Sequence, residues 1–197
     1  MYGPHLAQLY ASARIHDQIQ SLGHFFKPTD TLDLKLNLAS ANYELTQSLP
    51  RVVEYFGPDP SAMWATIAAH EERLQQILLA FLATDERITI IGEPTAAKEL
   101  RVPVISFTVR GVGSQQLVEA VESRSTYGFR SGHMYSHRLL ADVCGLRDVD
   151  DGVVRVSLVH YNTGRWWIVR VDLDQADQAT EEEVKGLVAV LRDVLSS

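Results

Sequence analysis

An α+β fold, a small sheet covered by helices, is the architecture this sequence predicts, and three observations predict it. Three β-branched stretches, Ile88–Ile91, Val104–Val109 and Val153–Tyr161, are separated by segments of helical periodicity. No internal repeat or low-complexity tract breaks the pattern, which argues against a solenoid or a disordered linker. The 197 residues, 46% hydrophobic and 22% charged, are enough for one ordinary core.

In chain order, Tyr2-Gly3-Pro4-His5 reads as a turn, and the apolar run Leu6 to Tyr10 as a strand. A short helix is expected around Ile15 to Leu22, followed by the irregular Phe25-Phe26-Lys27-Pro28-Thr29-Asp30. Leu45, Leu49, Val52, Val53 and Phe56 recur at helical spacing, with Pro50 inside the run and Gly57-Pro58 ending it. The next helix has Asp59 or Ser61 as its cap and Pro60 in its first turn. Trp64, Ile67, Ala68, Leu74, Ile77, Leu78 and Phe81 form its apolar stripe. The strand Ile88–Ile91 closes at Gly92, and Glu93 to Arg101 form a loop. Val104–Val109 then alternates Ile105, Phe107 and Val109 against Ser106 and Thr108.

Ser114 is placed to cap a short helix bearing Leu117, Val118 and Val121. A helix through Leu139, Leu140 and Val143 stops at Gly145, and Val153–Tyr161 is the third strand. Gly164 to Ala179, with Trp166-Trp167, fits no element well, although Trp167, Val169 and Val171 alternate as a strand would. Thr180 and Glu183 have the spacing of a capping box for a last helix carrying Val184, Leu187, Val188, Leu191 and Leu195.

Between the helical segment after Ser114 and the one through Leu139 lies Tyr127-Gly128-Phe129-Arg130-Ser131-Gly132-His133-Met134-Tyr135. Glycines on both sides of Arg130 suit a loop that aims a guanidinium, and a planar five-donor fork is the natural partner of a carboxylate. An ordinary surface salt bridge is the competing reading of such an arginine.

Several chemistries are disfavoured. A net charge of -7 and a pI near 5.4 argue against nucleic acid or an anionic membrane surface as partner. The single Cys144 rules out an internal disulfide. Its apolar helical setting reads as a buried structural thiol. His133 and His137 share a helical face but have no third ligand nearby, so no metal site is expected. His70-Glu71 lacks the second histidine of a zinc-protease motif, since Leu74 stands there. Gly111-Val112-Gly113 lacks the third glycine of a dinucleotide fingerprint. With no bilayer-length apolar run and no signal-peptide pattern at Met1, a cytoplasmic protein is the expectation.

Four stretches, in order, resemble one family, the class V aminotransferases that use pyridoxal phosphate, nearest to their cysteine-desulfurase-like branch. They are Tyr2-Gly3-Pro4-His5 with Leu9-Tyr10; Asn42-Tyr43-Glu44-Leu45; Val104 to Val109; and Arg130-Ser131-Gly132-His133-Met134-Tyr135 continuing to Val153 through Thr163. The resemblance implies a fold type I transferase, of which residues 58–197 are the C-terminal small domain, with a short antiparallel sheet. Residues 1–57 are then a remnant of the large cofactor domain with its interdomain helix, and residues 164–179 an insertion.

Carried over by residue, the resemblance implies that Arg130 receives the α-carboxylate of an amino-acid substrate, with His133 in the turn behind it. It also implies that His5 lies in a loop approaching the cofactor phosphate of a partner subunit. In one subclass a sulfur-accepting cysteine occupies the position of Tyr135, which puts persulfide chemistry in doubt for this chain. The family's Schiff-base lysine precedes the Tyr-Gly-Pro-His turn, and none of Lys27, Lys35, Lys98 and Lys185 holds a motif position. Pyridoxal phosphate is therefore expected in the intact family but not bound covalently by this chain, and a homo-oligomer or a pairing with a full-length relative is expected. The competing reading is a non-catalytic interaction or regulatory fragment.

Overall fold

The computed structural model describes residues 5–21, 25–26, 31–36, 41–160 and 173–197, with backbone alone for 173–180. The chain divides into two compact units, Met1–Met63 and Trp64–Ser197.

Among the described residues the first unit holds four short helices, α1 (Ala13–His16), α2 (Leu32–Leu36), α3 (Tyr43–Gln47) and α4 (Leu49–Phe56), none of which contains a buried residue. Polar contacts tie the first two together: Lys35 Nζ donates to the His16 carbonyl at 2.6 Å and Ser21 Oγ to the Lys35 carbonyl at 3.3 Å. Asn42 caps α3 by accepting the Leu45 N–H at 2.9 Å. Pro50 falls in the first turn of α4, where its missing N–H costs nothing, so the proline begins a helix rather than interrupting one. Two sequence expectations need correcting here. Leu6 to Tyr10 forms no strand, and Leu9 and Tyr10 are exposed. The helix expected at Ile15 to Leu22 is the shorter α1.

Helix α5 (Pro60–Leu82) begins in the first unit, its N-terminus capped by Asp59 accepting the Ala62 N–H at 3.0 Å, and continues into the second. There, among the described residues, the sheet has four strands, β1 (Ile88–Ile91), β2 (Val104–Val109), β3 (Arg130–Gly132) and β4 (Val153–Ser157). They run antiparallel in the order β1-β2-β4-β3. The alternation in β2 sets its register: Ile105 opposes Val156 and Phe107 opposes Val154, all buried, while Ser106 opposes Arg155 on the other face. The apolar face packs on Leu74, Leu78 and Leu82 of α5. It also meets Leu117 and Val121 of α6 (Ser114–Glu122) and Val184, Leu187, Val188 and Leu191 of α7 (Leu173–Ser196). Each fully buried aliphatic side chain contributes roughly 1.5–3 kcal/mol relative to exposure, so this interface dominates the unit's stability.

The fourth strand is the main departure from the sequence reading, because the stretch expected to be a loop around Arg130 pairs with β4. Ser114 does not cap α6. It is the first helical residue, its hydroxyl donates to the Gly152 carbonyl at 3.1 Å, and the cap is supplied by Asp151. The helix expected at Leu139 is a single π turn, Leu139–Val143, closed by the Cys144 N–H on the Leu139 carbonyl at 3.0 Å. Cys144 itself is half-buried rather than sequestered. Helix α7 starts at Leu173, so Thr180 lies within it and is not its N-cap. Strand β4 ends at Ser157. Tyr161, Trp166-Trp167 and the alternation from Trp167 to Val171 lie outside the described residues. Among the described residues, no helix is long and apolar enough to cross a membrane.

Candidate functional site

The site is built on the sheet face opposite the helices. In the antiparallel pair β3–β4, Arg130 opposes Arg155, Ser131 opposes Val154 and Gly132 opposes Val153. Opposed residues share a face, with Cβ atoms about 4.5–5.5 Å apart. Val154 belongs to the core, so Arg130, Arg155 and Ser106 form a polar row across three strands on the open face. Arg130 is exposed. Arg155 is half-buried, and its Nε is buried without a hydrogen-bond partner among the described residues. No described carboxylate forms an ion pair with either arginine. Two guanidinium groups directly across a strand pair repel each other, and an anion between them removes both problems at once.

Behind Arg130 the chain turns sharply. Gly132 has φ +115, and Met134 and Tyr135 follow at φ 49 and 62, a left-handed pair that side chains disfavour. His133 organises this turn: its carbonyl accepts the Ser136 N–H at 2.7 Å and its Nδ1 accepts the Tyr135 N–H at 3.2 Å. That second bond assigns the ring proton to Nε2 in the neutral form. The imidazole meets the rings of His137 and Tyr135 edge-on, with centroids 5.8 and 6.4 Å away, and Tyr135 projects fully into solvent. The turn is seated on Gly152, where a Cβ would lie 2.2 Å from the Gly132 carbonyl carbon. The two backbones can approach only because that side chain is missing.

Of the residues singled out from the sequence, Arg130 and His133 stand together around this turn, while His5 lies exposed in the first unit. Arg155 was missed. Its signal was present in Val153-Val154-Arg155-Val156, since a lone charge between two core valines must project from the opposite face of the strand. Among the described residues, no cluster of three histidine, cysteine or acidic side chains is placed to hold a metal ion.

The described lysines do not fit the role of a Schiff-base amine, which needs a desolvated, unengaged nitrogen. Lys35 Nζ is bonded to the His16 carbonyl, Lys98 pairs with Glu72 at 3.7 Å, and Lys185 pairs with Glu182 at 2.8 Å. Lys27 lies outside the described residues. What this part of the chain offers chemically is a pair of directly opposed guanidinium side chains.

Comparison with known proteins gives the chain its family. The Aminotransferase class-V family model matches residues 46–165, which include both arginines, the turn behind Arg130, helices α4, α5 and α6 and strands β1 to β4. The chain belongs to the class V aminotransferase family. Over 163 residues it is 51% identical to the aminotransferase-like protein FGM3 of Gibberella zeae, covering 83% of this chain and 40% of that protein. It is 33% identical over 165 residues to the cysteine desulfurase-like protein ustD of Aspergillus flavus, covering 83% of this chain and 37% of ustD. A nonribosomal peptide synthetase-like enzyme, fsqF of Aspergillus fumigatus, is 36% identical over 166 residues, 83% of this chain and 11% of fsqF. The chain thus spans well under half the length of the curated relatives it matches. Among solved structures, the cysteine desulfurase CsdA of Escherichia coli superposes with a TM-score of 0.61 at 15% identity, over 90% of this chain and 39% of CsdA. That likeness establishes the fold, the α+β small-domain architecture of the fold type I transferases. Class V aminotransferases are pyridoxal-phosphate-dependent, and the cofactor supplies an electron sink to the whole enzyme.

Proposed function

We propose that this chain supplies the substrate-carboxylate grip of a class V aminotransferase-type enzyme, with Arg130 and Arg155 as paired guanidinium ligands. The observation that carries the reading is their register: directly opposed on the open sheet face, with the buried Arg155 Nε unpartnered among the described residues. A carboxylate accepts up to four hydrogen bonds, and two forks present more donors than it needs, which fixes its plane as well as its position. His133 shapes the turn that holds the end of β3, and by family resemblance His5 approaches a cofactor phosphate. Residues 1–57 act in this reading as a strip of the large domain and residues 58–197 as the small domain, with 164–179 inserted. The Schiff-base lysine is not among the lysines of this chain, so the grip orients an amino acid while the amine chemistry is provided elsewhere in the assembly.

The test is binding of L-alanine to the full chain, followed by the ¹⁵N shifts of the arginine Nε–Hε groups, with L-alaninamide as the control lacking a carboxylate. Saturable binding of L-alanine alone, lost in Arg130→Ala and in Arg155→Ala, is the expected result. Binding that survives in both variants, or an equal response to the amide, overturns the assignment.

A further inference from the structure

Helix α7 carries a glycine, Gly186, in its interior, where glycine is a poor helix former and alanine would be favoured by propensity alone. The structure gives a packing reason. A Cβ on Gly186 would sit 2.1 Å from the Tyr127 hydroxyl and 3.2 Å from its Cζ. The phenol therefore occupies a notch in the helix that only glycine leaves open. Glu183 lies one turn earlier on the same helix, and burial together with that carboxylate pushes the Tyr127 phenol above its usual range, so it stays neutral in the notch.

Tyr127 stands three residues before Arg130. Tyr127 and Phe129 both pack against the core on the helix side of the sheet, and Ser131 opposes the core residue Val154. Side chains of an extended segment alternate between faces, so seating Tyr127 and Phe129 on the helices directs Arg130 to the open face. Strand β3 is only three residues long and has one neighbour among the described residues, which makes its own ladder a weak determinant of where Arg130 stands.

We propose that Tyr127 is a positioning residue for Arg130, its phenol lodged in the Gly186 notch of α7 so that the last helix sets how the guanidinium is presented. The proposal rests on reading Arg130 as the carboxylate ligand. Gly186→Ala evicts the phenol, and a misplacement on the order of 1 Å at a binding group costs roughly ten- to a hundredfold, so L-alanine affinity should fall by that much. Tyr127→Phe removes the oxygen that the new methyl group meets, and the double variant Gly186→Ala/Tyr127→Phe should recover affinity to within about twofold, because the ring still anchors the strand.

Rescue separates positioning from general loosening, which a second substitution would not repair. Unchanged affinity in Gly186→Ala, with binding abolished in Arg130→Ala, overturns the positioning role and leaves the carboxylate grip standing. Where Arg130→Ala binds L-alanine as well as the parent, the grip fails, and the ligand-free Nε–Hε signal of Arg130 decides the positioning. It should move in Gly186→Ala and return in the double variant, and an unmoved signal overturns the proposal. Tyr127→Ala provides the same comparison in a chain whose helix is untouched, should Gly186→Ala fail to fold.

Discussion

The carboxylate of Asp151 accepts the backbone N–H of Ser114 at 2.7 Å from 37 positions further along the chain. It also accepts the Gln115 N–H at 3.0 Å, so the first turn of α6 is capped by the loop that enters β4. Asp151→Ala is expected to lower unfolding free energy by about 1 kcal/mol, in the ordinary range for a lost cap, and Asp151→Asn by less. Urea titrations of the three proteins check this. Equal midpoints for Ala and the parent would show that water replaces the cap at no cost.

Gly152 is held at φ +64 against the Gly132 backbone, with a would-be Cβ 2.2 Å from a carbonyl carbon. Gly152→Ala combines a left-handed alanine with a clash against main chain, which cannot swing aside as a side chain can. The expected loss is roughly 2–4 kcal/mol. Gly132→Ala, strained in φ but with open space around it, should cost less. Chemical denaturation of both variants orders them, and the reverse ranking would remove the close approach as the cause.

Asp85 accepts Nε and Nη2 of Arg87 at 3.0 and 2.6 Å, and this side-chain hydrogen bonding holds its carboxyl well below the usual range, at about 2. A depressed folded-state value means that the ionised form stabilises the fold above about pH 4, and that this contribution is lost as the pH falls toward about 2. The stability difference between the parent and Asp85→Asn should be constant near neutrality and shrink through that acid window. Arg87 Nη2 also donates to the Leu195 carbonyl at 2.8 Å, so the last turn of α7 should show faster amide exchange in the variant. A pH-independent difference counts against the pairing.

Arg130 and Arg155 stand opposite one another as like charges without a described acidic partner. Arg130→Thr removes the repulsion and places a good strand former on an exposed position, so the ligand-free chain should gain roughly 0.2–1 kcal/mol. The same substitution should abolish carboxylate binding, the usual exchange of stability for function at a charged site. Calorimetric melting with and without L-alanine measures both, and a clear loss of stability in the ligand-free chain would contradict the argument.

Period-two alternation in Val104–Val109 and helical spacing from Trp64 to Phe81 made the core elements legible, because burial on one face leaves a direct trace in residue order. Strand β3 left no such trace: three residues containing an arginine, a serine and a glycine become a strand only because β4 offers an edge. The cap on α6 was assigned to Ser114 by proximity, whereas a carboxylate distant in sequence does the work. Arg130 was found through its flanking glycines. The face that Arg155 takes was legible from its flanking valines, but its place opposite Arg130 needed the register, which no local pattern contains.

The strand order β1-β2-β4-β3 also has a history in time. During synthesis β3 emerges before β4, yet β4 is its sole partner among the described residues and lies between it and β2. Until Ser157 is in place, the Val104–Phe107 edge of β2 lacks the strand that pairs with it in the fold. The arginine pair is then the last part of the sheet to exist, created when β4 slots into the gap. A ribosome stalled just after β3 should display an unpaired β-edge and no arginine pair.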